Sequence, residues 1–180
     1  MSRQVAEAGA EVYSRVLSAS VGKLEKDISG YFEETGQDFC KIKRVRYVRN
    51  RPVAIEENYI RLDWAGEILK QNLNKISVYD YLEQVNETRF DAYHITAQPV
   101  LLSTEDKQEL GLEDDRVQLI VFKKDIVGMR FDIVAYSKGQ RVMFNRRCFN
   151  GNHFSISVDY NAVTRQISIG SSKVNIPLDE

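Results

Sequence analysis

The chain reads as an α+β domain, a central and mainly antiparallel sheet of about six strands with helices segregated to one side. Three observations point there. Strand-like runs follow one another with connections too short for the crossovers of a doubly wound parallel sheet. Helix-type periodicity is confined to a few brief stretches. The 180 residues, 43% of them hydrophobic, suffice for one sizeable core and one domain.

Residues 1–12, rich in Ala and Glu, read as an arm or the end of a linker, and 13–180 as the single domain. Ser14–Val21 alternates as a strand does. From Lys23 the apolar residues Leu24, Ile28, Tyr31 and Phe32 recur at helical spacing, with Gly36 as the stop. Phe39–Val48 and Val53–Arg61 form two strands around the turn Asn50-Arg51-Pro52. Asp63 is placed to cap a helix in which Ile68 and Trp64 face inward, and another helix begins near Ser77. Phe90–Leu102 carries many β-favouring residues. Ser103 to Asp106 has the form of a capping box, and its short helix closes at Leu110-Gly111. Val117–Phe122, Met129–Tyr136 and Arg141–Phe149 follow as strands, the last two joined by the turn Ser137–Gln140. Phe154–Tyr160 and Gln166–Ile169 alternate and add two more.

Composition excludes several function classes. With 25 basic and 26 acidic residues the net charge is −1, so no overall field favours nucleic acid. The basic run Lys41, Lys43, Arg44, Arg46, Arg49 and Arg51 is split by alternation over two faces. No apolar run is long enough to cross a bilayer and no leader is evident, which points to the cytoplasm. Cys40 and Cys148 stand far apart and read as packed, reduced thiols. His94 and His153 are equally distant, so no metal and no cofactor is expected. A Cys148–His153 pair lacks an orienting acid, no Gly-rich phosphate loop is present, and no catalytic residue is expected. Trp64 reads as a core lid.

The most informative stretch is Lys43–Ile60. Side chains two apart on a strand share a face, so Arg44 and Arg46 lie together. A three-residue loop would set Arg49 opposite Val53 and Arg46 opposite Glu56, bringing two guanidinium groups and a carboxylate onto one face. A two-residue loop would instead place Glu56 beside Val45, on the opposite face. The first arrangement suits a small anionic, hydroxylated or amino-bearing molecule. A solvated hairpin with cross-strand ion pairs of little energetic weight is the other reading.

Four segments, in order, resemble the UTRA effector-binding domain of GntR-type transcription regulators, in the HutC branch. The stretch from Arg44 to Ile60 is similar to its Arg-x-Arg strand, turn and Pro-hydrophobic-Ala-x-Glu-x-x-Tyr return. Ser77-Val78-Tyr79-Asp80-Tyr81-Leu82 is similar to its Ser-Leu-Tyr-x-x-Leu helix start, and Ser103–Leu112 to its small helix ending in Leu-Gly-Leu. Asn145–Asn152 stands where its closing Ser-Arg-x-x-Tyr-Arg-Gly-Asp strand stands. The resemblance runs from Ser14 to Tyr160.

It implies a chorismate lyase-like fold whose helices and loops cover a pocket for a small anionic effector, such as a sugar phosphate or a carboxylate. By motif position Arg44 and Arg46 would hold the anion, Ser77 would add its hydroxyl and a helix N-terminus, and Tyr79 would lie beside them. Glu56 would accept hydrogen bonds from the rest of the ligand, and Arg146 and Phe149 would line the closing strand. The resemblance further implies a homodimer in which the effector acts allosterically on DNA binding. Where sugar-binding members carry a glutamate and a tyrosine, this chain has Met143 and Phe149, which disfavours amino-sugar phosphates. The stretch Glu113–Arg130 is longer than the usual connection, and Thr164–Glu180 lies outside the pattern. The residues ahead of the first strand are too few for the family's winged-helix domain, so DNA contact is expected only through a domain this chain does not carry. Two other readings stand beside the sensor: a small lyase of the chorismate lyase type, and a dimerisation domain without ligand.

Overall fold

The computed structural model describes residues 11–32, 36–112 and 126–150, together with the backbone of two strands at 157–161 and 166–170. The expected strand Val117–Phe122, most of the N-terminal arm and His153 lie outside these residues. Strands β1 (Val12–Gly22), β2 (Phe39–Val48), β3 (Arg51–Arg61), β4 (Ala92–Leu101), β5 (Val127–Ser137) and β6 (Gln140–Asn150) form one six-stranded sheet in the order β1-β2-β3-β6-β5-β4. Each neighbouring pair is antiparallel. A separate two-stranded sheet joins β7 (Ser157–Asn161) to β8 (Gln166–Gly170), close to the alternating stretches Phe154–Tyr160 and Gln166–Ile169.

The helices are shorter than the sequence periodicity predicts. The face Leu24, Ile28, Tyr31, Phe32 yields only α1 (Lys26–Ser29), where Asp27, Ser29 and Gly30 are weak helix formers. Its apolar residues nevertheless pack together, Ile28 and Phe32 against Phe39, Tyr59, Val134 and Phe144. Asp63 does not cap the next helix, α2 (Leu62–Ala65). It lies within the first turn, the N-cap position falling to Arg61, and its carboxylate accepts from the Arg61 guanidinium at 2.6 Å and 3.0 Å. A 3-10 turn follows at Ile68–Lys70. Helix α3 (Val78–Val85) starts where the sequence places it, with the Ser77 hydroxyl accepting from the Asp80 amide at 3.3 Å. Helix α4 (Thr104–Glu109) is capped in the same way by Ser103, at 3.0 Å from the Asp106 amide.

These pieces distribute over both faces of the sheet. The longest helical stretch, from α2 to α3, covers the first face: Ala65, Ile68, Leu73, Val78 and Leu82 pack on Cys40, Ile42, Ile60, Ala135 and Met143. The very short α1 and the segment ending α4 lie on the second face, where Leu110 meets Ile55 and Cys148. The helices gather on one side, as expected, only for the stretch from α2 to α3. Trp64 and Tyr79 lean on the first-face core beside Phe90. Burial pushes the thiols of Cys40 and Cys148 up to about 11; they lie in separate clusters and read as packed, protonated side chains.

The register of the β2–β3 hairpin corrects the expected loop. Val48 pairs with Arg51, so the turn is the two residues Arg49 and Asn50, both left-handed at φ 50° and 63°. A two-residue loop alone would put Glu56 on the wrong face. A bulge between Arg46 and Tyr47 leaves Val53 as the extra residue and restores the parity. Glu56 therefore stands opposite Arg44, not Arg46, and all three share the first face.

Candidate functional site

Across the first face the apolar clusters are interrupted by a polar band. Register sets Val16, Arg44, Glu56, Arg147 and Phe131 in one row across β1, β2, β3, β6 and β5. Ser14, Arg46, Ala54 and Phe149 form the row on one side, and Ile42, Asn58, Asn145 and Ile133 the row on the other. One end of the band abuts the cluster of Val48, Val53, Ala54 and Phe149, the other the large core beneath α3.

Glu56, 3% exposed, is the hub. Arg44 Nε donates to its Oε2 at 2.6 Å and Arg147 Nε to its Oε1 at 2.9 Å. Burial alone would raise the acid's pKa, but the attraction of Arg147, Arg44 and Arg46 overcomes it and holds the carboxyl well below the usual carboxylate range. Arg44, 2% exposed, also donates from Nη1 to the main-chain oxygens of Leu73 and Ile76, each at 3.0 Å. It thereby ties the loop before Ser77 to the sheet. Arg147 lies 5.6 Å from the centre of the Tyr79 ring, which α3 hangs over the band. Desolvation would depress the Arg147 pKa; the Glu56 charge raises it instead. Arg46 donates from Nη1 to the Ser14 hydroxyl at 2.9 Å. Its pKa is lowered to about 10, first by burial and then by the like charges of Arg44 and Arg147, against the pull of Glu56.

The structure thus brings together Arg44, Arg46, Glu56, Tyr79 and the loop into Ser77. Phe149 sits one row away, meeting Phe131 edge-on at 5.7 Å. Arg146 it places elsewhere. That side chain points to the second face, donating from Nε to Asp132 at 2.9 Å and from Nη1 to Asp27 of α1 at 2.9 Å. Tyr31 donates its hydroxyl proton to the same Asp132 at 2.9 Å. The arginine of the closing strand that faces Glu56 is Arg147. Strand alternation carries the signal for it: Arg147, not Arg146, shares the parity of Met143 and Phe149, which stand where sugar-binding members carry a glutamate and a tyrosine. Ser14, Asn58 and Asn145 are further residues of the band; Asn145 stands at the serine position of the closing-strand motif, no motif residue marks Ser14 or Asn58, and the register of β1, β3 and β6 brings them in.

Chemically, guanidinium groups held in a partly water-excluded band beside a helix start favour an anion, and the neighbouring carboxylate and aromatic ring fix orientation. Among the described residues no three His, Cys, Asp or Glu side chains cluster as a metal ion requires.

Comparison with known proteins gives the architecture its family. The sequence model of the UTRA domain matches residues 7–155. The HTH-type transcriptional repressor NagR of Bacillus subtilis is 30% identical over 81 residues, covering 45% of this chain and 33% of that protein. The chain therefore matches about a third of that relative's length. Among solved structures, the effector domain of PhnF from Mycobacterium smegmatis has a TM-score of 0.73 at 14% identity, covering 89% of this chain and 93% of that one. The C-terminal domain of the histidine utilization repressor from Pseudomonas syringae gives 0.69 at 16% identity, covering 84% and 99%. At such identities the two structures speak for the fold, a six-stranded antiparallel sheet with a few helices. The chain belongs to the UTRA domain family, the effector-binding domains of GntR-type transcription regulators.

Proposed function

We propose that this domain senses a small anionic metabolite in the cytoplasm and acts as a homodimer on the DNA affinity of a regulator. The carrying observation is the convergence of Arg44, Arg46 and Arg147 around Glu56 on one largely buried face, beside the loop that leads into Ser77. Arg46 and Ser14 hold the anion; Tyr79 and Glu56 orient the remainder of the molecule. Arg44 acts by positioning, since its Nε and Nη1 are engaged by Glu56 and two carbonyls.

Effector binding biases the sensor through those same contacts. Arg44 joins the sheet to the loop before α3, and Arg147 lies beneath Tyr79, so an anion that draws on these cations changes how firmly α3 is held. A coupling of about 1–3 kcal/mol is enough for a regulatory response. In such a regulator DNA contact belongs to a separate winged-helix domain. Self-association is supported by the edge strand β4, which exposes Tyr93, Ile95 and Leu101 along its length.

Calorimetric titration with inorganic phosphate and with glucose 6-phosphate tests the reading. Binding to wild type and at least a tenfold loss in Arg46→Ala are expected. Equal affinity in the variant would remove the anion site. Chorismate serves as the counter-test, since pyruvate formation would move the protein to the lyase class.

A further inference from the structure

One row deeper than the Glu56–Arg147 pair, Asn58 and Asn145 face each other across β3 and β6. Both are buried, at 1% and 0% exposure. Two carboxamides in that position can exchange two hydrogen bonds, but only one is made, from Asn145 Nδ2 to Asn58 Oδ1 at 2.9 Å. Asn145 Nδ2 also reaches the Glu57 main-chain oxygen at 3.3 Å. Asn58 Nδ2 and Asn145 Oδ1 have no hydrogen-bond partner among the described residues.

A buried donor and a buried acceptor left open side by side are costly and call for a polar occupant. Their lateral neighbours cannot supply one: Ile42 flanks Asn58 and Ile133 flanks Asn145. One row further on stand Ile60 and Met143. The polar direction is back along the strands, toward Glu56 and Arg147.

We propose that Asn58 and Asn145 form a neutral subsite that selects the effector by a hydroxyl group, which accepts from Asn58 Nδ2 and donates to Asn145 Oδ1. The inference rests on the anion reading above and adds to it a specificity: the ligand is a hydroxylated anion, not a bare one. Ala54, in the Arg46 row, and Asn58 are four residues apart on β3, about 13 Å of strand. The reach of the Arg46 side chain and the length of a phosphorylated sugar together span that distance.

The test compares two probes on one protein. Wild type should bind glucose 6-phosphate at least tenfold more tightly than inorganic phosphate. Asn58→Leu and Asn145→Leu should each erase that preference and leave affinity for inorganic phosphate within twofold, whereas Arg46→Ala weakens both probes. Should either leucine variant fail to fold, Asn58→Ser and Asn145→Ser, which shorten the amide without removing polarity, must reduce the preference at least fivefold. Phosphate binding with no preference in wild type, or a preference that survives the substitutions, overturns the subsite and spares the anion site; the pair then holds only water. Binding of neither probe to wild type removes both.

Discussion

Adjacent residues of the same two strands build different electrostatic devices on the two faces of the sheet. Glu56 opposes Arg147, and one position along Glu57 opposes Arg146. On the first face one carboxylate is shared by two guanidinium groups, with Arg46 in the next row. On the second face the network is mixed: Arg146 is shared by Asp132 and Asp27, Asp132 also takes Arg130 at 3.4 Å, and Glu57 turns to Lys43 at 3.5 Å. Exposure differs at one partner: Asp132 is as buried as Glu56, but Asp27 is 65% exposed where Arg44, its counterpart on the first face, is 2% exposed. A cation closed in by carboxylates is a clamp, here fastening α1 to the sheet. Cations gathered around a single acid, under an aromatic ring and away from water, are the arrangement proposed above to take an anion. Both faces carry a buried carboxylate between two arginines; what separates them is a further buried arginine, Arg46, beside the first and an exposed acid, Asp27, beside the second.

The largest expected contrast is in stability. Glu56→Ala strands two buried guanidinium groups and should cost about 3–5 kcal/mol in urea unfolding. Asp27→Ala, at a mostly exposed pair, should cost at most about 1 kcal/mol. Equal losses would break the comparison. Next comes ligand affinity: Arg46→Ala should lose about 1.5–3 kcal/mol of binding to an anionic probe in calorimetry. Arg146→Ala should lose none of that affinity and about 1–2 kcal/mol of stability, since Arg130 and Tyr31 still hold Asp132. An affinity loss in Arg146→Ala would join the two faces into one site.

The smallest effect is on pH dependence. The folded state holds Glu56 below its ordinary value of 4.5, so the stability it contributes is complete above that value and is lost as pH falls toward the folded one. Acid unfolding of Glu56→Gln should therefore be flatter than wild type between about pH 5 and pH 3. Asp27 is also lowered, by its bond to Arg146, from an ordinary value of 3.8; Asp27→Asn should flatten the curve less and at lower pH. Matching curves for the two variants would contradict the difference in burial.

Much of this was legible in the residues. Alternation and turn chemistry place the strands of the sheet within a few residues, and the serines at 77 and 103 mark two helix starts that the structure retains. The long helix expected after Lys23 was not, because apolar spacing records which residues face the core without requiring a helix to present them. Within the site, the alternation of Arg44, Arg46 and Glu56 was readable, but the bulge at Val53 that makes it true was not. Motif position points to Arg146, whereas strand parity points to its neighbour Arg147.

What the sequence by itself determined was the class of fold, an antiparallel sheet with few helices, and the chemistry available: arginines spaced two apart and one acid on the returning strand. Periodicity is local, and local spacing fixes which side chains share a face of one strand. The tertiary structure alone decided which strands became neighbours, and so that Ser14, Asn58, Asn145 and Arg147 joined the arginines while Arg146 left them. Pairing partners are set by contacts between residues distant in the chain, and a single extra residue in one strand is enough to turn an acid from one face to the other.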